Sequence, residues 1–325
     1  MDDDRPASDV DASSPPTLDD HWGGPLVLNG PLERSALQSP TVTFVMGLLG
    51  LGVAFILFQV VVSPILLVAQ IGLSPLTSGD PGQLLASYTR ELIISNSVGQ
   101  VLALAVPTLL LARLHSRQVT EYVRFRSVDL RLVLLALIGV VGLQPVVQWM
   151  AQINKELPLP EAMRMLEQTQ LELIRSVLES GLGVTFNLVM LAVVPGICEE
   201  LLFRGYAQRQ FERSTGVVGG ILLSGILFGC YHLRPSQLLP LAVLGIYLAY
   251  LTWRTGSLWP AILVHTAHNG IAVVVARYAQ QHPSYDLEAM EQAAMPWYAV
   301  VGGFAIFGGV LYVLHPLARR LRDAS

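Results

Sequence analysis

Residues 183–206 read GVTFNLVMLAVVPGICEELLFRGY: sixteen residues without a charge, then two adjacent glutamates and, four positions after the second, an arginine. Such a stretch crosses about 30 Å of hydrocarbon at about 1.5 Å per residue, so it reads as a membrane span. An ionisable side chain inside a span costs several kcal/mol by common insertion scales, at about 2.5–3.5 kcal/mol each. Glu199, Glu200 and Arg204 are therefore charges that need a reason.

Working outward, similar apolar runs lie near 42–70, 91–113, 131–152, 217–234, 237–254, 257–277 and 296–316. With 183–206 they make eight, which predicts an all-α, polytopic transmembrane helix bundle. Composition agrees: 52% of residues are hydrophobic, 14% are charged, and the mean hydropathy is +0.53. A water-facing domain needs about a quarter of its residues charged. The segment 160–180 differs, with Met163, Leu166, Leu171, Ile174 and Leu178 at helical spacing among Glu, Gln and Arg. It reads as an amphipathic helix lying at the interface.

Residues 1–38 hold eight of the 24 carboxylates, are rich in Ser, Pro and Gly, and show no apolar periodicity. They are expected to form a disordered acidic tail, and residues 39–325 the transmembrane domain. The acidic N-terminus, with no basic n-region, is not that of a signal peptide. Net charge is −4 and no basic block is present, so nucleic acid is not an expected partner. Cys198 and Cys230 fall inside apolar runs and read as small hydrophobes rather than as a disulfide framework. Basic residues gather in alternate loops, with Arg113, Arg117, Arg124, Arg126 and Arg131 after the second run and Arg319, Arg320 and Arg322 after the last. By the positive-inside rule both termini lie in the cytoplasm.

Intramembrane polarity is concentrated in three runs. Besides Glu199, Glu200 and Arg204 there are His232 in LFGCYHL and His265, His268 and Asn269 in LVHTAHNG. Glu200 and Arg204 stand at i, i+4 and can pair on one helix face. Glu199 is turned about 100° away and has no counter-charge at i+4, which suits a general base. His265 and Asn269 also share a face. Together Glu199, His232, His265 and Asn269 can hold a water and stabilise the tetrahedral intermediate it forms, a hydrolytic constellation. Bland readings stand beside this one. Glu200–Arg204 serves as a structural pair, and His268 as an interhelical hydrogen-bonding partner. The glycines at 216, 220, 225 and 229 read as close helix packing.

The motifs Glu199-Glu200-x-x-x-Arg204, Phe228-x-x-x-His232 and His265-x-x-x-Asn269 resemble those of the CPBP family. That family includes the type II CAAX prenyl endopeptidases and the lysostaphin-resistance-protein-A-like intramembrane peptidases. The resemblance covers a peptidase-like core at about 183–277. It implies an intramembrane endopeptidase acting on a membrane-associated peptide or protein within the lipid bilayer of a bacterial inner or plasma membrane. Glu199 and His232 would activate the water, His265 and Asn269 would support the oxyanion, and Glu200 and Arg204 would organise the site. Family members are often described as metalloproteases, and a Zn²⁺ set would draw on His232 and His265 with Glu199 or Glu200. The sequence has no His-Glu-x-x-His, no serine dyad around Ser224 and no intramembrane aspartate pair. Two readings of another class stay open: a non-catalytic immunity or scaffold protein, and a cation-coupled transporter using the same polar cluster. One geometric tension remains, because counting residues from the basic side places His232 about 10 Å deeper than Glu199 and His265.

Overall fold

The computed structural model describes residues 17–20, 24–33, 39–78, 81–155, 160–178, 181–282 and 293–324. Among these, seven helices are long and apolar enough to cross a membrane. In chain order, α1 is Pro40–Ile71, α2 is Ser87–His115 and α3 is Leu130–Lys155. The amphipathic helix α4 is Glu161–Leu178. The longest run, Val184–Tyr231, spans 48 residues, far more than the roughly 20 that a bilayer requires. It contains a reversal at Gly216, so we describe its arms as α5 (184–215) and α6 (217–231). The rest are α7 (Leu238–Thr255), α8 (Trp259–Gln281) and α9 (Trp297–Asp323).

The expected eight segments are thus present as seven long helical runs, the fourth doubling back on itself. Gly216 has φ 78° and ψ 174°, a backbone region essentially reserved for glycine because a Cβ would clash there. Its role is the turn, not the close packing expected from its spacing. Beyond the turn, α6 returns along α5: the Phe203 and Phe228 rings lie 5.2 Å apart, and Ser224 Oγ donates to the Phe203 carbonyl at 3.4 Å.

The close-packing reading does hold further along α6. A Cβ on Gly225 would sit 2.5 Å from the Ile246 nitrogen, and one on Gly245 would sit 2.7 Å from the Gly225 oxygen. Backbones of α6 and α7 therefore touch, as small residues permit between membrane helices. Two apolar clusters form the interior. The first joins α1, α2, α5 and α6 through Phe58, Leu104, Leu202, Phe203, Phe211 and Phe228. The second joins α3, α7, α8 and α9 through Leu143, Leu248, Val264 and Leu314. Outward faces stay apolar and exposed, as at Leu49, Val60, Leu110 and Val141, which is what a hydrocarbon environment allows. The chain is an integral membrane protein of all-α bundle architecture.

The N-terminal segment departs in part from the expected disorder. Residues 17–20 and 24–27 form a two-stranded antiparallel hairpin, and residues 26–33 lie against the bundle, with Leu26, Leu28 and Glu33 buried. Glu33 accepts from both Nη1 and Nη2 of Arg213 at 2.8 and 2.9 Å and sits 2.5 Å from His115 Nδ1. An acidic residue in a polar tail looked solvated, but its partners come from α2 and α5, far away in sequence. The expected disorder of 1–16, 21–23 and 34–38 falls outside the described residues. Most of the apolar stripe assigned to α4 does too, since the side chains of Leu166, Leu171, Ile174 and Leu178 are not described; Val177 is buried and Met163 exposed.

Candidate active site

Helix α5 carries Glu199 and Glu200 into the bundle interior, where the two adjacent carboxylates take different surroundings. Glu200 is fully buried. Its Oε1 accepts from Arg204 Nη1 at 2.6 Å and lies 2.8 Å from His265 Nδ1 on α8. Arg204, also fully buried, donates from Nη2 to the Gly245 carbonyl of α7 at 2.9 Å, and its guanidinium sits 4.5 Å from the Phe228 ring centroid. The i, i+4 pair expected from sequence thus exists, and His265 extends it to three members. Burying two full charges is costly unless geometry and further hydrogen bonds compensate. Gly245 and His265 supply those bonds, and Phe228 supplies a cation–π face.

Glu199 forms no ion pair with an arginine or lysine among the described residues. Its Oε2 is buried without a hydrogen-bond partner, and His232 Nε2 lies 3.9 Å from it. That separation exceeds a direct hydrogen bond of about 2.7–3.2 Å and is the kind a water bridges. His232 Nδ1 lies 2.8 Å from the Phe228 carbonyl. A carbonyl can only accept, so Nδ1 carries the proton and the neutral ring presents a lone pair at Nε2. The Phe228 ring lies between the two histidines, 4.8 Å from His232 and 5.5 Å from His265. Phe228 therefore orients three site residues at once: Arg204, His232 and His265.

The depth tension disappears in the hairpin. Span-by-span counting ended the fourth span at 206, but α5 continues to 215, so the turn lies further from the site than a short loop would place it. Glu199 precedes Gly216 by 17 residues and His232 follows it by 16. The two arms therefore return to the same level, each after about 25 Å.

Asn269 is less directly engaged. It lies one turn from His265 on α8, and its Nδ2 donates to the Leu191 carbonyl of α5 at 3.3 Å. His268 faces the other way, with Nδ1 3.0 Å from Gln144 Nε2 of α3, an interhelical contact of the kind its bland reading described. Sequence reasoning passed over two contributors, the Gly245 carbonyl and Gln144; a backbone carbonyl leaves no signal in a sequence.

The zinc set does not assemble. Among the described residues no three His, Cys, Asp or Glu side chains gather so as to hold a metal ion. Glu200 Oε1 is already engaged by Arg204 and His265, and among the described residues the Glu199–His232 pair is not part of a three-ligand group.

Comparison with known proteins meets this geometry at the same residues. The family model for the type II CAAX prenyl endopeptidase Rce1-like proteins matches residues 181–271, which hold α5, α6, α7 and the part of α8 bearing His265 and Asn269. The "Putative membrane peptidase YdiL" of Bacillus subtilis (strain 168) is 25% identical over 129 residues, 40% of this chain. The match spans about half the length of that relative. No solved structure matches the chain. The segment that carries the site thus matches the kind of protein that its three motifs resemble.

Proposed function

We propose that this protein is an intramembrane endopeptidase that hydrolyses a peptide bond in a membrane-associated peptide or protein. The observation that carries the reading is the pairing of an unpartnered buried carboxylate, Glu199 Oε2, with the basic Nε2 of His232 at 3.9 Å. Two acceptors so placed hold the two protons of one water and leave its oxygen lone pairs free to attack a carbonyl. Glu199 takes the proton as the attack proceeds, a general-base step worth about 10²–10⁴-fold.

His265 answers the charge that develops on the carbonyl oxygen. Its Nδ1 is turned to Glu200, and when the ring carries both protons its Nε2–H can donate to an oxyanion. Arg204 holds Glu200 in register through its hydrogen bond, which makes it a positioning residue. Asn269 has a second amide proton beyond the one given to Leu191, and it lies one turn further along the same face. No step in this scheme needs a metal. The site works in the plasma or inner membrane, with both chain termini in the cytoplasm.

The test is a comparison of membrane-associated peptides and proteins in cells carrying wild type or Glu199→Ala. Uncleaved species should accumulate in the variant, and the purified wild type should cut them. Identical peptide profiles, with both proteins present at equal levels, would overturn the reading.

A further inference from the structure

At the end of the bundle away from Glu33, a shallow recess opens to the surroundings between the start of α5 and the last turns of α8. Nothing in the hydrolytic scheme uses it. From Asn187 to Glu199 is twelve residues along α5, and from His265 to Arg277 twelve along α8, so the pocket lies about 18 Å from the site.

Three features of its lining are complementary. Arg277 lines it, and its one described contact is with the neutral Gln280, Nη1 to Oε1 at 3.2 Å. Val184, the first helical residue of α5, also lines it, behind Gly183 at φ 92°. Glycine has no side chain to cap the helix, so the leading N–H groups of a long helix lack an acceptor there. Asn187 is 6% exposed, lines the same space, and its Oδ1 has no hydrogen-bond partner. A guanidinium with no carboxylate partner among the described residues and uncapped amides call for an anion; the Asn187 oxygen calls for a donor beside it.

The surroundings say what bears both groups. Beside the pocket, Val274, Val275 and Tyr278 of α8 and Val184 and Val189 of α5 are exposed and apolar on helices long enough to span a bilayer. A ligand there has a charged head at the ends of two spans and can lay hydrocarbon along their outer faces. We propose that this pocket binds the headgroup of an anionic phospholipid. The phosphodiester sits on Arg277 and the α5 N-terminus, and a headgroup hydroxyl donates to Asn187 Oδ1. Phosphatidylglycerol has this chemistry, whereas phosphatidylcholine carries the phosphate without a headgroup donor.

The experiment uses the full-length protein, purified and delipidated in detergent, read by native mass spectrometry and thermal unfolding. Phosphatidylglycerol, phosphatidylcholine and inorganic phosphate are titrated separately. Phosphatidylglycerol should bind wild type at least about tenfold more tightly than phosphatidylcholine and raise its unfolding temperature. Arg277→Gln should lose that preference, Arg277→Lys should recover part of it, and Asn187→Asp should weaken phosphatidylglycerol binding through charge repulsion. Because Arg277 contacts only a neutral partner among the described residues, Arg277→Gln strands no described buried charge. Should it nevertheless fail to fold, the Arg277→Lys and Asn187→Asp pair carries the test. Equal binding of the two lipids, unchanged binding in Asn187→Asp, or stabilisation by inorganic phosphate matching that by phosphatidylglycerol would each overturn the proposal.

Discussion

His232 Nε2 lies 3.9 Å from Glu199 Oε2, and the two residues stand at nearly equal helical distance on either side of Gly216. The pair exists because one glycine reverses a 48-residue run, bringing the arms back to a common level. Its environment is asymmetric: Glu199 Oε2 has no hydrogen-bond partner, and its neighbour Glu200 has two nitrogen partners. Adjacent carboxylates are thereby set in different surroundings, as the proposed division between chemistry and positioning requires.

Glu199→Gln should leave the fold intact, because it removes a carboxylate that has no hydrogen-bond donor to lose. Cleavage by the purified variant should fall by about 10²–10⁴-fold, the usual contribution of a general base, with an unfolding temperature near that of wild type. Retained cleavage at more than a tenth of the wild-type rate would remove Glu199 from the water-activating role.

Arg204→Gln should act first on stability. It leaves Glu200 buried with only His265, empties the bond to Gly245 and removes the charge over Phe228. Breaking a buried ion pair from one side costs about 3–5 kcal/mol. The yield of monodisperse protein and its unfolding temperature should both drop. Glu200→Gln combined with Arg204→Gln should recover much of that stability without recovering cleavage. Normal stability in the single variant would assign Arg204 to the chemistry instead.

Gly216→Val should destabilise the hairpin, since a β-branched residue cannot adopt φ 78°, ψ 174° without a strain of about 1–3 kcal/mol. Gly309→Ala is the control, because a Cβ there meets nothing within 4 Å. Thermal unfolding in detergent should separate the two clearly. Equal behaviour would mean that the turn at Gly216 is not what holds α6 against α5.

The N-terminal contact should respond to acid. Burial alone would raise the Glu33 carboxyl, but hydrogen bonds from His115 and Arg213 outweigh it and hold the group below its ordinary value. A carboxylate lowered in the folded state stabilises above its unfolded pKa, about 4.3, and loses that contribution as pH falls through the lowered value. An acid-active protease should therefore cut residues 24–33 faster as pH drops below about 4, and Glu33→Gln should be cut readily at neutral pH. Cleavage independent of both pH and the substitution would show that Glu33 does not hold the segment.

Cleavage should survive exhaustive chelation, because the described residues assemble no three-ligand set. The check is metal content and activity of purified protein before and after chelation. Stoichiometric zinc, with activity lost on removal and restored by zinc alone, would recast His232 and His265 as ligands.

Sequence by itself determined the class of the molecule and named the candidates for its site. Apolar runs of about 20 residues leave few alternatives to membrane helices, because the hydrocarbon thickness sets the length and backbone polar groups must be satisfied internally. The i, i+4 rule was enough to pair Glu200 with Arg204, since both partners lie on one helix. Tertiary structure alone decided the rest. Hydropathy could not distinguish a loop between two spans from one helix reversed at Gly216, so it misjudged the depth of His232. Nor could it foresee that His265 would turn to Glu200, or that Glu33 of a polar tail would find Arg213 and His115. Those contacts join residues far apart in the chain, and their free energy depends on which helix faces meet, which no local periodicity encodes.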